Sequence, residues 1–292
     1  MAFSPYEILL APFVEFEFMR RALVGAAALA LGAGPIGVFL MLRRMSLTGD
    51  AMAHAILPGA AIGFLVAGFS LPAMTFGGFV AGVAVALASG LVARATLLKE
   101  DASLAAFYLL SLALGVTIVS MRGSNVDLMH VLFGTVLALD DAALFLIGGI
   151  ATVTLVALAL LFRPLVLECV DPVYLASVSR AGPVVHLVFL VLVVSNLVGG
   201  FQALGTLLAV GLMMLPAATA RFWTSDVTGM IAVATGTGMV SGAAGLLLSY
   251  HLELPAGPAI ILVAGGAYLG SLLLGPQGGL LRLAFPGRHL EA

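Results

Sequence analysis

Apolar stretches long enough to cross a bilayer as helices follow one another along almost the whole chain, separated by short polar breaks. The pattern predicts nine membrane helices, at roughly 22–42, 49–69, 72–97, 102–120, 141–162, 183–198, 201–221, 227–249 and 257–274. The sixth is short and runs into Gly199-Gly200, so the sixth and seventh read as one interrupted feature. Residues 123–140 are apolar enough to dip into the bilayer without crossing it. Residues 3–19 are amphipathic and carry Glu7, Glu15 and Glu17, which makes 1–21 an interfacial segment rather than a span or a cleavable signal peptide. The fold class expected is all-α: a polytopic membrane bundle forming a single transmembrane domain over residues 1–292.

Composition agrees with this reading. Of 292 residues, 62% are hydrophobic and only 9% charged, against about 25% charged in a typical soluble chain; mean hydropathy is +1.20. A net charge of −2 gives no electrostatic footprint for nucleic acid. One cysteine, Cys169, excludes an internal disulfide framework and any multi-cysteine metal site. Glycine pairs at small-xxx-small spacing (Gly59/Gly63, Gly78/Gly82, Gly238/Gly242, Gly266/Gly270) fit closely packed helices in lipid.

Charge sets the orientation. Nine crossings starting outside put Arg43, Arg44, Arg94, Lys99, Arg163, Arg180, Arg221, Arg282 and Arg288 at the cytoplasmic side and leave only Arg20, Arg21 and Arg122 outside. The cytoplasmic segment 163–182 contains a short helix signal. Asp171 suits the N-cap, Pro172 the first helical position and Arg180 the last turn, and Gly182-Pro183 ends it. Such an element is either an ordinary ordered loop or a docking site for a cytoplasmic partner.

Within the second predicted span, Asp50 and His54 stand four residues apart and share one helical face. A carboxylate and an imidazole so placed suit a divalent transition metal. An ionisable residue inside lipid costs about 2.5–3.5 kcal/mol on insertion scales, so its default reading is functional. The structural alternative is that Asp50 caps the helix and His54 is a satisfied buried histidine. A second pair, Asp127 and His130, lies on the outer side and reads either as a cation-attracting vestibule or as a solvated loop. His186, alone among apolar residues, reads as packed and hydrogen-bonded; His251 and Glu253 read as surface. Arg43 and Arg44 read as the cytoplasmic anchor of the first helix. Pro58 and Pro216 are expected to kink their helices and shape a cavity.

Enzymatic motifs are missing. Lys99 is the single lysine and lies between Leu98 and Glu100, so no phosphate-binding G-x-x-x-x-G-K-[ST] loop exists in the chain. There is no H-E-x-x-H, no G-x-S-x-G and no dinucleotide fingerprint. Gly49-Asp50 matches part of an intramembrane aspartyl protease motif, but that chemistry needs a second aspartate inside the membrane, and no other lies well inside a predicted span. The expectation is a transporter subunit and not an enzyme.

The segment from Arg43 through Ser46, Gly49-Asp50, His54 and Pro58-Gly59 closely resembles the signature of bacterial ABC-type zinc/manganese/iron permeases. Leu132-Phe133-Gly134, Asp171-Pro172, Gly205-Thr206, Leu215-Pro216 and Leu254-Pro255 extend the resemblance in order over about residues 18–275. It implies a type II importer-like permease in the bacterial cytoplasmic membrane. It also implies a homodimer, a cytoplasmic ABC ATPase dimer and a periplasmic or lipoprotein metal-binding protein as partners. By the same resemblance, Asp50 and His54 line the path of the metal. Residues 165–181, with Asp171, Pro172, Val173, Tyr174, Leu175, Ala176, Ser177 and Arg180, dock the ATPase. Val173-Tyr174-Leu175 departs from the acidic-aromatic run usual after Asp-Pro, a change that tunes which ATPase is accepted. No permanently bound cofactor is expected. The metal, Zn2+ (or Mn2+/Fe2+), is cargo, and the Irving–Williams order favours zinc at an N/O site. A proton-coupled secondary transporter using the same pair is the rival of another class.

Overall fold

The computed structural model describes residues 5–68, 70–121, 139–171, 174–175, 177, 179 and 182–284. The chain begins with two short helices, α1 (Pro5–Leu9) and α2 (Ala11–Glu15), and one extended residue, Phe16. The first span, α3 (Glu17–Leu42), therefore starts earlier than the hydropathy pattern indicates and takes in Arg20 and Arg21. These are two of the three cations that the positive-inside pattern leaves outside, and both have partners; the third, Arg122, lies outside the described residues. Arg21 pairs with Glu17 at 2.8 Å and Asp141 at 3.1 Å, and Arg20 donates to the Val14 carbonyl at 2.7 Å. His251, exposed as expected, holds the N-terminal segment through its Nε2, 3.0 Å from the Ile8 carbonyl.

The second span is split into α4 (Thr48–Ala55) and α5 (Leu57–Ala67). Then follow α6 (Leu71–Ala95), α7 (Glu100–Met121), α8 (Asp141–Val170), α9 (Gly182–Leu204), α10 (Thr206–Ala220), α11 (Val227–Leu252), α12 (Ala256–Leu274) and the short α13 (Leu280–Ala284). Counting α4 and α5 as one, eight spans among the described residues are long and apolar enough to cross a membrane. The ninth, α10, has 15 residues, about 22 Å at 1.5 Å per residue, short of a hydrocarbon core of about 30 Å.

Two expected boundaries move. The sixth span does not stop at Gly199-Gly200; α9 continues to Leu204, and the chain turns at Gly205, whose φ of 91° is open to glycine and strained for other residues. Gly200 serves packing instead: a Cβ there would stand 2.6 Å from the Cβ of Ala209 on α10. The fifth span runs to Val170, eight residues past its expected end, with Pro164 inside it and Leu165 fully buried. Residues 163–170 are thus the end of α8, so the segment expected to dock a partner would start at Asp171.

The bundle is organised around α3. Its most apolar window is 72% buried, against 22% for those of α6, α7 and α8. It packs against α8, α9, α10 and α11. Helix α9 runs antiparallel to it, bringing Leu204 near Gly25, Asn196 near Gly32 and His186 to Arg43. The buried Asn196 is satisfied by the Thr154 hydroxyl at 2.7 Å and the Leu192 carbonyl at 2.9 Å, so this polar node costs little in the apolar interior. Helices α5 and α6 touch backbone to backbone at Gly59 and Gly77. Of the four spaced glycine pairs, Gly266/Gly270 meets nothing within 4 Å in the protomer, while the other three face neighbouring helices.

Candidate metal centre and coupling segment

Helix α3 ends in a Schellman turn. The Arg44 N–H bonds the Met41 carbonyl at 3.0 Å and the Met45 N–H the Leu40 carbonyl at 2.9 Å. Arg44 takes the left-handed position, φ 60°, where glycine is usual. This turn sends the chain straight back into the bundle as α4. Leu47 is the N-cap residue of α4 and provides no side-chain cap, so Asp50 does not cap the helix. Asp50 stands in the first turn, where the dipole favours a carboxylate, and His54 in the last. The helix breaks after Ala55 because Pro58 has no N–H for the His54 carbonyl. Ser111 of α7 stitches the break by donating to the Ala55 carbonyl at 2.9 Å.

The His54 Nε2 and Asp50 Oδ1 atoms are 3.8 Å apart, which confirms the shared face. The Asp50 side chain is 64% exposed and that of His54 31%. The imidazole stacks on Tyr108 at 6.3 Å between centroids, and its Nδ1 is buried with no hydrogen-bond partner among the described residues. Tyr108 lies eight residues into α7, about 12 Å along the axis, so His54 packs beside the interior of an apolar helix and not its end, with Asp50 one turn away. Turning an exposed carboxylate inside a membrane span toward hydrocarbon is costly. Among the described residues, no group of three or more His, Cys, Asp or Glu side chains is close enough to hold a metal. Among the described residues, the protomer brings together one carboxylate and one imidazole on this face.

The Asp171 cap is present: its Oδ1 accepts the Tyr174 N–H at 2.8 Å. Leu175 is buried and Tyr174 is 53% exposed, so the segment grips the bundle by one residue and presents the other outward. Ser177 is helical and donates its hydroxyl to the Tyr174 carbonyl. Pro172, Val173, Ala176 and Arg180 lie outside the described residues, as do Asp127 and His130. Cys169 is half-buried against the core.

One set of residues escapes a reading of the chain alone. Arg43 is not merely an interfacial anchor: its side chain, 6% exposed, pairs with Glu168 at 2.7 Å and reaches His186 Nδ1 at 3.0 Å. His186 is packed and hydrogen-bonded, as expected of it. Its partners lie 143 and 18 positions away, and no local spacing signals the more distant contact.

The chain matches the family model described as the ABC 3 transport family over residues 15–275. It is 33% identical over 264 residues to the manganese import system permease protein ScaB of Streptococcus parasanguinis, covering 90% of this chain and 92% of that one. It is 32% identical over 279 residues to the manganese transport system membrane protein MntC of Halalkalibacterium halodurans, covering 95% and 94%. Among solved structures, PsaBC from Streptococcus pneumoniae in complex with Fab superposes with a TM-score of 0.83 at 30% identity, covering 94% of this chain and all of that one. The match to the family runs through both the discontinuous α4–α5 span and the α8–α9 connection. The chain therefore belongs to the ABC 3 transport family, as a multi-pass membrane permease subunit and not an enzyme.

Proposed function

We propose that this protein is the permease of an ATP-driven importer for manganese in the bacterial cytoplasmic membrane. The observation that carries the reading is the Asp50–His54 face on the half-helix α4, inside a membrane span yet open to its surroundings. Two copies facing each other would offer two carboxylates and two imidazoles, a hard and borderline O/N set without thiolate that suits manganese, iron or zinc. Dehydrating a divalent ion is costly, and such a set offsets the cost without holding the ion so tightly that it cannot leave. Tight capture is assigned to an extracytoplasmic binding protein, and ATP hydrolysis to a separate cytoplasmic subunit docked on the segment beginning at Asp171.

Zinc, the expectation from the Irving–Williams order, gives way to manganese. That order ranks affinity at a fixed site, whereas selection in cells also depends on geometry and metal supply; the relatives named above are manganese transporters. Uptake into vesicles holding the permease, its ATPase and its binding protein tests the assignment. Manganese accumulates ahead of zinc if it is right, and zinc ahead of manganese overturns the metal. Cation flux through the permease alone, without ATPase, overturns the importer in favour of a secondary transporter.

The docking role has its own test. Asp171→Ala removes the cap, which is worth about 1 kcal/mol to a helix of this kind. The ATPase recovered with the permease is expected to fall severalfold while the permease itself folds normally. Unchanged recovery removes the segment from the interface.

A further inference from the structure

Three helix ends meet at the cytoplasmic side through the cluster of Arg43, Glu168 and His186. Arg43 closes α3 at the Schellman turn, seven residues before Asp50. Glu168 is in the last turn of α8, three residues before the Asp171 cap. His186 is in the first turns of α9, just beyond the other end of the docking segment. Arg43 Nη2 donates to Glu168 Oε2 at 2.7 Å. A guanidinium can only donate, so His186 Nδ1 accepts from Nη1, and Glu168 Oε1 lies 3.6 Å from the same ring nitrogen. The Arg43 guanidinium also sits 4.4 Å over the Phe189 ring. Phe189 is fully buried and meets Phe39 edge to face, and Phe39 meets Phe162 in the same way.

Side-chain exposures of 6%, 16% and 18% for Arg43, Glu168 and His186 make this, among the described residues, the one ion-pair cluster whose members are all under a fifth exposed. Burying such a cluster is a poor way to gain stability, since apolar residues of the same volume often do as well or better. What it gives is a fixed geometry, because Nη1 and Nη2 of Arg43 each have one acceptor, while its buried Nε has none among the described residues. Here the geometry fixed is that of both flanks of the docking segment relative to the turn that launches α4.

We propose that Arg43, Glu168 and His186 form a transmission joint: positioning residues that carry movement of the ATPase-docking segment to the helix bearing Asp50 and His54. The proposal rests on the transport reading above. Movement at residues 171–181 pulls on Glu168 and His186, and both are bonded to Arg43. Arg43 is continuous with the left-handed residue Arg44 and the buried Met45, so the pull reaches α4 with little slack. Cutting the joint leaves docking and ATP hydrolysis intact but disconnects them from the metal path.

The test uses the complete transporter in vesicles, with permease, ATPase and binding protein. Glu168→Ala is expected to lower manganese uptake about tenfold, in the range of a lost coupling interaction. Assembly and basal ATP hydrolysis should stay within about twofold, and stimulation of hydrolysis by manganese-loaded binding protein should disappear. If the alanine variant does not assemble, Glu168→Gln, which keeps the shape and loses the charge, decides by the same criteria. Uptake within twofold of wild type overturns the joint. So does a loss of basal hydrolysis in step with uptake, and so does failure of both variants to assemble, since each of these makes the cluster structural. Wild type is the control for the underlying reading: if it moves no manganese, that reading fails, and the same ratios are read with the cation it does move.

Discussion

Replacing Asp50 or His54 with alanine is expected to cut manganese uptake about a hundredfold or more, since loss of even an outer-shell partner of a metal ligand typically costs 10- to 100-fold. Assembly with the ATPase should survive. Asp50 caps nothing and is 64% exposed, so its removal opens no cavity and orphans no backbone group. Alanine is also the best helix former. His54→Ala loses the 3.8 Å contact with Asp50 and the stacking on Tyr108, the latter about 0.5–1.5 kcal/mol. Ligands that act as one set do not add, so the double variant should be scarcely worse than either single one. Metal uptake by vesicles, read beside co-purification of the ATPase, separates loss of the path from loss of the complex. Full uptake by the double variant removes both residues from the path.

Gly59→Val should instead damage the fold. A Cβ at residue 59 would run into the Gly77 carbonyl and stand 2.7 Å from the Ala81 Cβ. Both obstacles belong to helix α6, so no flexible side-chain tip can yield, and α5 must move away from α6. Overpacking ordinarily costs about 1–3 kcal/mol, and a backbone–backbone contact belongs at or above the upper end. The melting temperature of the detergent-solubilised permease is expected to drop clearly, with transport falling alongside. Gly266→Val, the same substitution where nothing lies within 4 Å, should shift it little. Equal shifts for the two would mean that loss of glycine itself, and not the close approach, sets the effect.

Much of this protein is legible in its sequence because lipid imposes severe rules. Backbone groups must bond within each span, so long apolar runs become helices whatever their neighbours do. The spacing of Asp50 and His54 fixes their common face before any packing is known, and Asp171 caps its segment through a purely local bond. Pro58 breaks the second span for an equally local reason. Hydropathy gives no such rule for where α8 stops or which glycine turns the chain. Pro164 and Arg163 look like the end of a span, yet the helix persists because Leu165 is buried against the rest of the bundle. Gly199, Gly200 and Gly205 look alike in the sequence, and only the approach of Ala209 to Gly200 assigns close packing to one and the turn to another.

The sequence alone therefore determined the helical membrane class, the shared face of Asp50 and His54, the absence of a phosphate-binding loop and the cap at Asp171. Tertiary structure decided that α4 reverses immediately on α3, that the chain turns at Gly205 and leaves α10 only 15 residues, and that Arg43 meets Glu168 across 125 positions of chain. The division follows from range. Helix periodicity, caps and prolines act over a few residues and can be read from one sequence, whereas a buried ion pair or a helix crossing depends on which distant surfaces come together, and local propensity carries no record of that.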